Sequence, residues 1–87
     1  MHVGERAIGD FRIYTVATAT AQGGYIAGVA ICRVRGSEDP ERLYFDPSVA
    51  QGFRFKAPEA ALRYAMDVGH RELRVRKLTP DLDPLQV

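Results

Sequence analysis

The chain has 87 residues, and its 12 Lys and Arg against 11 Asp and Glu give a formal net charge of +1. Apolar residues make up 46% of the chain and charged residues 26%, a balance typical of a folded domain. This balance excludes an intrinsically disordered chain and a uniformly basic nucleic-acid binder. The single cysteine excludes a disulfide framework and a cysteine-based zinc finger.

The chain divides into three parts by composition. We predict an N-terminal lead over 1–9, one α+β domain over 10–75 and an irregular, proline-marked tail over 76–87. No stretch approaches the roughly 18 apolar residues that a membrane span needs, and the start lacks the pattern of a secretory signal. We therefore expect a cytoplasmic protein without a membrane contact.

Two segments, 11–21 and 25–35, are rich in Thr, Val, Ile and Tyr and are predicted to be β-strands. Gly23-Gly24 lies between them and predicts a two-residue hairpin loop, because glycine adopts the positive φ angles of the favoured turns without steric cost. With this loop Gln22 opposes Tyr25, and the rest of the register follows from that pair.

This register gives the hairpin two faces of different chemistry. The first is small and apolar, and we expect it to pack against a helix; its members are Phe11, Ile13, Thr15, Ala17, Ala19, Ile26, Gly28, Ala30, Cys32 and Val34. The second mixes apolar side chains with arginines, and its candidate interaction residues are Arg12, Tyr14, Val16, Tyr25, Val29, Ile31, Arg33 and Arg35. A solvated sheet face would be mostly polar, so the second face predicts a contact surface.

The remaining pattern predicts one more strand and a helix. Glu41–Asp46 has strand character, and 51–56 suits a short strand or an extended lead into the helix. Pro58 fits the first helical position, and apolar residues then recur at helical spacing as far as Leu73. Gly69 leaves an alternative open, in which the helix ends there and a further strand follows; we favour the longer helix. The predicted fold is a three- or four-stranded antiparallel sheet with one C-terminal helix on one face.

The residue types that carry catalysis are few and scattered. Ser37 and Ser48 lie in predicted turns without a neighbouring His and acid, so turn formation explains them. Cys32 is expected to be a buried structural thiol and His70 a solvated side chain of the helix. A buried His70 in contact with Asp67 would favour an enzyme instead. We expect no catalytic, cofactor-binding or metal-binding residue.

The functional hypothesis therefore depends on the second face of the predicted hairpin, which mixes apolar side chains with arginines. We predict a non-enzymatic interaction module that forms a homodimer, or binds a protein partner, through this face or an edge strand. One alternative is a single-stranded nucleic-acid platform on the same face, with a basic extension from Arg54, Lys56, Arg71 and Arg74. Another is a small regulator or inhibitor that docks on a larger protein.

The motif F-x-F-x-x-P-E-A-A-L-x-Y-A over 53–65 resembles that of small stand-alone bacterial β-β-β-α proteins. This resemblance implies a bent antiparallel sheet with one C-terminal helix, and it implies no activity. The order of elements is also similar to PUR repeats, which bind single-stranded nucleic acid as paired repeats. Only the order matches, so no functional residue is carried over.

Overall fold

The computed structural model describes residues 1–36 and 38–76. The elements in chain order are β1 (His2–Ile8), β2 (Phe11–Ala19), β3 (Tyr25–Arg33), β4 (Glu41–Asp46), the short helical segment α1 (Val49–Gly52), β5 (Arg54–Phe55) and α2 (Pro58–Val75). Strands β1 to β4 form an antiparallel meander, and β5 pairs with the start of β3. Helix α2 packs on one face of this sheet, which confirms the predicted α+β class with one C-terminal helix.

The expected N-terminal lead is a full strand of the sheet. Ile8 pairs with Phe11, so Gly9 and Asp10 form a two-residue hairpin loop, and Gly9 has the positive φ of 57° that such loops require. In the sequence, the Gly9-Asp10 pair between the apolar residues Ile8 and Phe11 is the pattern that indicates this hairpin. With β1 the sheet has five strands rather than three or four. Of the predicted tail, Arg76 caps α2, and 77–87 lie outside the described residues, as does Ser37.

The β2–β3 hairpin has a longer loop than the glycine pair predicted. Ala19, rather than Gln22, opposes Tyr25, and the loop spans residues 20–24. A turn inside it is closed by the N–H of Gly23, which donates to the carbonyl of Thr20 at 3.1 Å, while the Thr20 hydroxyl donates to the carbonyl of Gly23 at 2.6 Å. The predicted register is therefore wrong by an odd number of residues, and β3 presents its other face to the helix.

The core lies between α2 and the face that this register creates. The fully buried residues of β2 and β3 on this side are Ile13, Ala17, Ala27, Val29 and Ile31. Helix α2 covers them with Ala61, Ala65, Val68, Gly69 and Leu73. The longer helix is confirmed, because Leu73 is fully buried beyond Gly69.

The segment between β4 and α2 is irregular rather than extended. Ala50 and Gln51 of α1 have left-handed φ angles of 57° and 55°, and only Arg54–Phe55 pairs as a strand within the predicted 51–56. The ring of Phe55 contacts Tyr64 of α2, with the ring centroids 5.3 Å apart. This contact anchors β5 to the helix just before Pro58 begins it.

Candidate interaction face

The corrected register separates the residues that we expected on one interaction face. Arg12, Tyr14 and Val16 lie on the sheet face opposite α2, whereas Val29 and Ile31 are buried beneath the helix. A contact surface containing both sets is therefore excluded.

Three other residues of the expected face also lie elsewhere. Tyr25 and Arg33 lie on the helix side of β3, and Arg35 is exposed beyond the end of that strand. The Arg33 guanidinium lies 5.2 Å from the centre of the Phe11 ring and 3.9 Å from the Glu41 carboxylate. Arg33 thus covers one end of the core, which is a structural role.

We call the sheet surface opposite α2 the open face, because no described element covers it. Its centre is formed by Val3, Glu5, Tyr14, Val16, Gly28, Ala30 and Phe45. Its outer positions, assigned from the strand pairs, are Ala7, Arg12, Thr18, Ile26, Cys32, Arg42 and Arg54. Sequence reasoning placed the β3 members of this face in the core, because both faces of β3 are apolar.

A hollow of about 510 Å³ lies at the centre of the open face. Gly28 lines it, and a Cβ atom at Gly28 would come within 3.0 Å of Val16 Cγ1 and 3.1 Å of the Pro47 carbonyl oxygen. Around it stand Phe45 and Tyr14, which are 54% and 39% exposed. Small residues beside large exposed rings give the face both a depression and protrusions.

Among the described residues that line the hollow, Glu5 is the one that carries a charge, and the arginines of the open face lie around the hollow. Arg42 lies over the Phe45 ring with its guanidinium carbon 5.0 Å from the ring centre, and Glu5 lies on the opposite edge of the sheet. Arg12 donates to the carbonyls of Gly9 and Phe11, at 3.0 Å each, so it is already engaged with the β1–β2 turn. The open face is an apolar centre with a polar margin.

The predicted basic extension does not form one surface. Arg54 belongs to the open face through its pairing with Ile26, and Lys56 is exposed just after β5. Arg71 and Arg74 lie on α2, on the other side of the sheet. The basic residues of the predicted extension therefore lie on both sides of the sheet and do not form one surface with Tyr14.

Of the residues considered for catalysis, those that the structure describes do not converge on one site. His70 is half-buried, and its Nε2 lies 3.4 Å from Nη1 of Arg6, while Asp67 is exposed on the same helix. The carboxylate of Asp46 accepts a 3.0 Å hydrogen bond from the N–H of Ser48, which gives this serine a turn role. Cys32 is half-buried on the open face, so its expected place in the core is wrong. Within residues 1–36 and 38–76, no three His, Cys, Asp or Glu side chains form a metal-binding group.

A second cleft, of about 360 Å³, lies between β1 and α2. Gly4 and Thr15 lie on its sheet side, and Leu62, Met66 and His70 on its helix side. Thr15 is only 4% exposed, and its hydroxyl has no hydrogen-bond partner in the part of the chain that the structure describes. The hydroxyl lies directly under Gly4, where a Cβ atom would come within 2.7 Å of it.

Tyr44 lies next to the C-terminal end of α2. Among the described titratable groups, its pKa departs most clearly from the ordinary value. Burial raises the pKa of its hydroxyl, and the carboxylates of Glu72 and Asp46 raise it further. The guanidinium of Arg76 lies 5.2 Å from the centre of the Tyr44 ring and acts in the opposite direction. Tyr44 pairs with the buried Ile31 and therefore lies on the helix side of the sheet, on the other face from the hollow.

Among the described residues, no helix is both long and apolar enough to cross a membrane. No protein-family model matches the chain, and no curated protein or solved structure is significantly similar to it.

Proposed function

We propose that this protein is a non-enzymatic interaction module that forms a homodimer through the open face. The observation that supports this proposal is the apolar hollow at the centre of a sheet face that α2 leaves uncovered. Contiguous exposed apolar surface is unfavourable in water, and in soluble proteins it usually marks a contact site.

The distribution of residues on the open face matches the anatomy of a protein interface. Aromatic side chains are enriched at the centres of such interfaces, and here Tyr14 and Phe45 flank the hollow. Arginine is enriched as well, and Arg42 stacks on Phe45. The charged groups lie toward the margin, where they remain solvated when the centre is covered.

The area of the face suits a reversible dimer. The strands β1 to β4 have 7, 9, 9 and 6 residues, and at about 3.4 Å per residue and 4.8 Å between strands they span roughly 500 Å² of sheet. Two such faces would bury about 1,000 Å², which is the size class of weak, transient complexes. We therefore expect a dimer that dissociates on dilution rather than an obligate one.

The corrected register also weighs against the nucleic-acid alternative. That alternative needs aromatic rings and free arginines on one surface. Arg33 lies on the helix side, and Arg12 donates to backbone carbonyls of its own turn. Arg42 stacks on Phe45, and Arg54 lies at the β5 edge of the open face, away from Tyr14. The open face is mainly apolar, which favours a protein surface over a phosphate backbone as its partner.

Light scattering after size exclusion, over a concentration series, tests the proposal. A matched pair of variants sharpens it: Val3→Asp on the open face and Val75→Asp on α2. The two valines are 70% and 69% exposed, so the same charge is introduced at equal exposure on opposite layers. We expect Val3→Asp to shift the mass toward the monomer and Val75→Asp to leave it unchanged.

The other outcomes are equally informative. A wild-type chain that is monomeric at all concentrations would refute the homodimer and leave the open face for a different protein. A dimer that Val3→Asp does not weaken would also refute this interface, and would place the contact at an edge strand or on α2. Far-UV circular dichroism of both variants checks that each remains folded.

A further inference from the structure

At the hollow, the two central strands of the open face carry side chains of different size. The β2 side carries Tyr14 and Val16, and the β3 side carries their cross-strand partners Ala30 and Gly28. The boundary between large and small residues therefore runs parallel to the strands, midway between β2 and β3. A surface of this kind is complementary to itself only in certain orientations.

In a face-to-face homodimer the two-fold axis lies in the plane midway between the two sheets. We compare two directions of this axis, across the strands and parallel to the strands. An axis across the strands would place β2 over β2 of the partner subunit, and Tyr14 would then meet large residues. An axis parallel to the strands places β2 over β3 of the partner subunit. Tyr14 then faces Ala30 of the partner subunit, and Val16 faces Gly28 of the partner subunit. Only the second arrangement fills depressions with protrusions, as dense packing requires.

The charges favour the same axis. Glu5 lies on β1, at one edge of the open face, and Arg42 lies on β4, at the other. The axis parallel to the strands places β1 of one copy over β4 of the other. Glu5 then lies opposite Phe45 of the partner subunit, and the guanidinium of Arg42 of the partner subunit lies over that ring. The axis across the strands would place Glu5 over β1 of the partner subunit, without a basic residue of the open face opposite it.

We infer that the homodimer is a face-to-face sandwich whose two-fold axis runs along the β2–β3 boundary. In it, Tyr14 packs on Ala30 of the partner subunit, and Glu5 lies opposite Phe45 of the partner subunit, beside the guanidinium of Arg42 of the partner subunit. This inference rests on the proposed homodimer and adds the orientation of the two copies.

Charge reversal tests the orientation. Glu5→Arg and Arg42→Glu each place like charges beside one another twice per dimer, and we expect each variant to weaken dimerisation at least tenfold. The double variant restores opposite charges, so its dissociation constant should return to within about threefold of the wild-type value. Both side chains are exposed, so the fold should tolerate the changes, and Arg74→Glu on α2 is the matched control.

A cross-linking experiment tests the orientation without altering these charges. In a Cys32→Ser background, Val3→Cys places a thiol on β1 level with the hollow, where an axis across the strands would bring the two copies together. The proposed axis instead separates the two β1 strands sideways by about three strand spacings, or ~14 Å, so a short bismaleimide should join the Val3→Cys copies poorly. Efficient self-cross-linking would indicate the axis across the strands and overturn the inference.

The failures of the two proposals are distinguishable. A wild-type chain that never dimerises refutes the proposed function, and the orientation with it. A wild-type dimer that either charge reversal leaves unchanged, or that the double variant does not recover, refutes the orientation alone.

Discussion

Gly69 of α2 lies directly against Ile13 of β2, and a Cβ atom at Gly69 would come within 2.6 Å of the Ile13 Cγ2 atom. Real Cβ atoms do not approach another carbon this closely, so a side chain here requires the Ile13 side chain, the helix or the sheet to move. The glycine that weakens the helix locally is thus what allows α2 to lie close to the sheet.

Gly69→Ala should therefore destabilise the protein. Alanine gains about 1 kcal/mol in helix propensity, but overpacking a tight core contact costs about 1–3 kcal/mol. We expect a net loss of about 1 kcal/mol in the free energy of unfolding, measured by urea denaturation. A more stable variant would mean that Ile13 adopts another rotamer without strain.

Two isoleucines of β3 provide a direct test of the register. Ile31 is fully buried beneath α2, whereas Ile26 is half-buried on the open face. Ile31→Ala should lower the free energy of unfolding by about 2–5 kcal/mol, because it leaves a cavity in the core. Ile26→Ala should cost clearly less in the same denaturation experiment. Equal losses, or the reverse order, would contradict the observed register.

The buried hydroxyl of Thr15 predicts an unusual gain in stability. It is 4% exposed and has no hydrogen-bond partner among residues 1–36 and 38–76, so folding removes it from water without compensation. Thr15→Val keeps the shape of the side chain, and we expect it to raise the free energy of unfolding by about 1 kcal/mol. Thr18→Val on the exposed side of β2 is the control and should stay within about 0.5 kcal/mol of the wild type. A loss of stability at Thr15 would indicate that the hydroxyl is hydrogen-bonded to a buried water molecule.

Tyr44 predicts a pH dependence at alkaline pH. Burial, with Glu72 and Asp46, raises the pKa of this hydroxyl in the folded state above its unfolded value of about 10. Above that value the unfolded chain releases the proton first, so stability is fully present below about pH 10 and falls as the pH rises through the folded pKa. Tyr44→Phe removes this titrating group, so its free energy of unfolding should fall less steeply at alkaline pH. Denaturation of both proteins from pH 8 to pH 11 measures the difference. Parallel pH profiles for the two proteins would contradict the prediction.

Local features of the sequence predict much of the fold without any tertiary contact. Strand composition over 11–21 and 25–35, the proline at position 58 and the apolar spacing that reaches Leu73 correctly predicted two central strands and one long helix. These features depend on short-range sterics and on helical periodicity, which the sequence carries directly. The open face was predicted only in part, through Arg12, Tyr14 and Val16.

The tertiary structure decided which face of β3 is buried and that residues 2–8 form a strand. Val29 and Ile31 alternate with Ala30 and Cys32, so both faces of β3 are apolar, and periodicity alone cannot choose between them. The choice depended on the five-residue loop with its Thr20 hydrogen bonds and on α2 fitting against one side through Gly69. Strand β1 has the charged residues Glu5 and Arg6 at its centre, so its composition alone does not indicate a strand. Its pairing depends on the free edge that β2 offers. Pairing partners and packing faces are long-range properties, and they appear only when the whole chain is assembled.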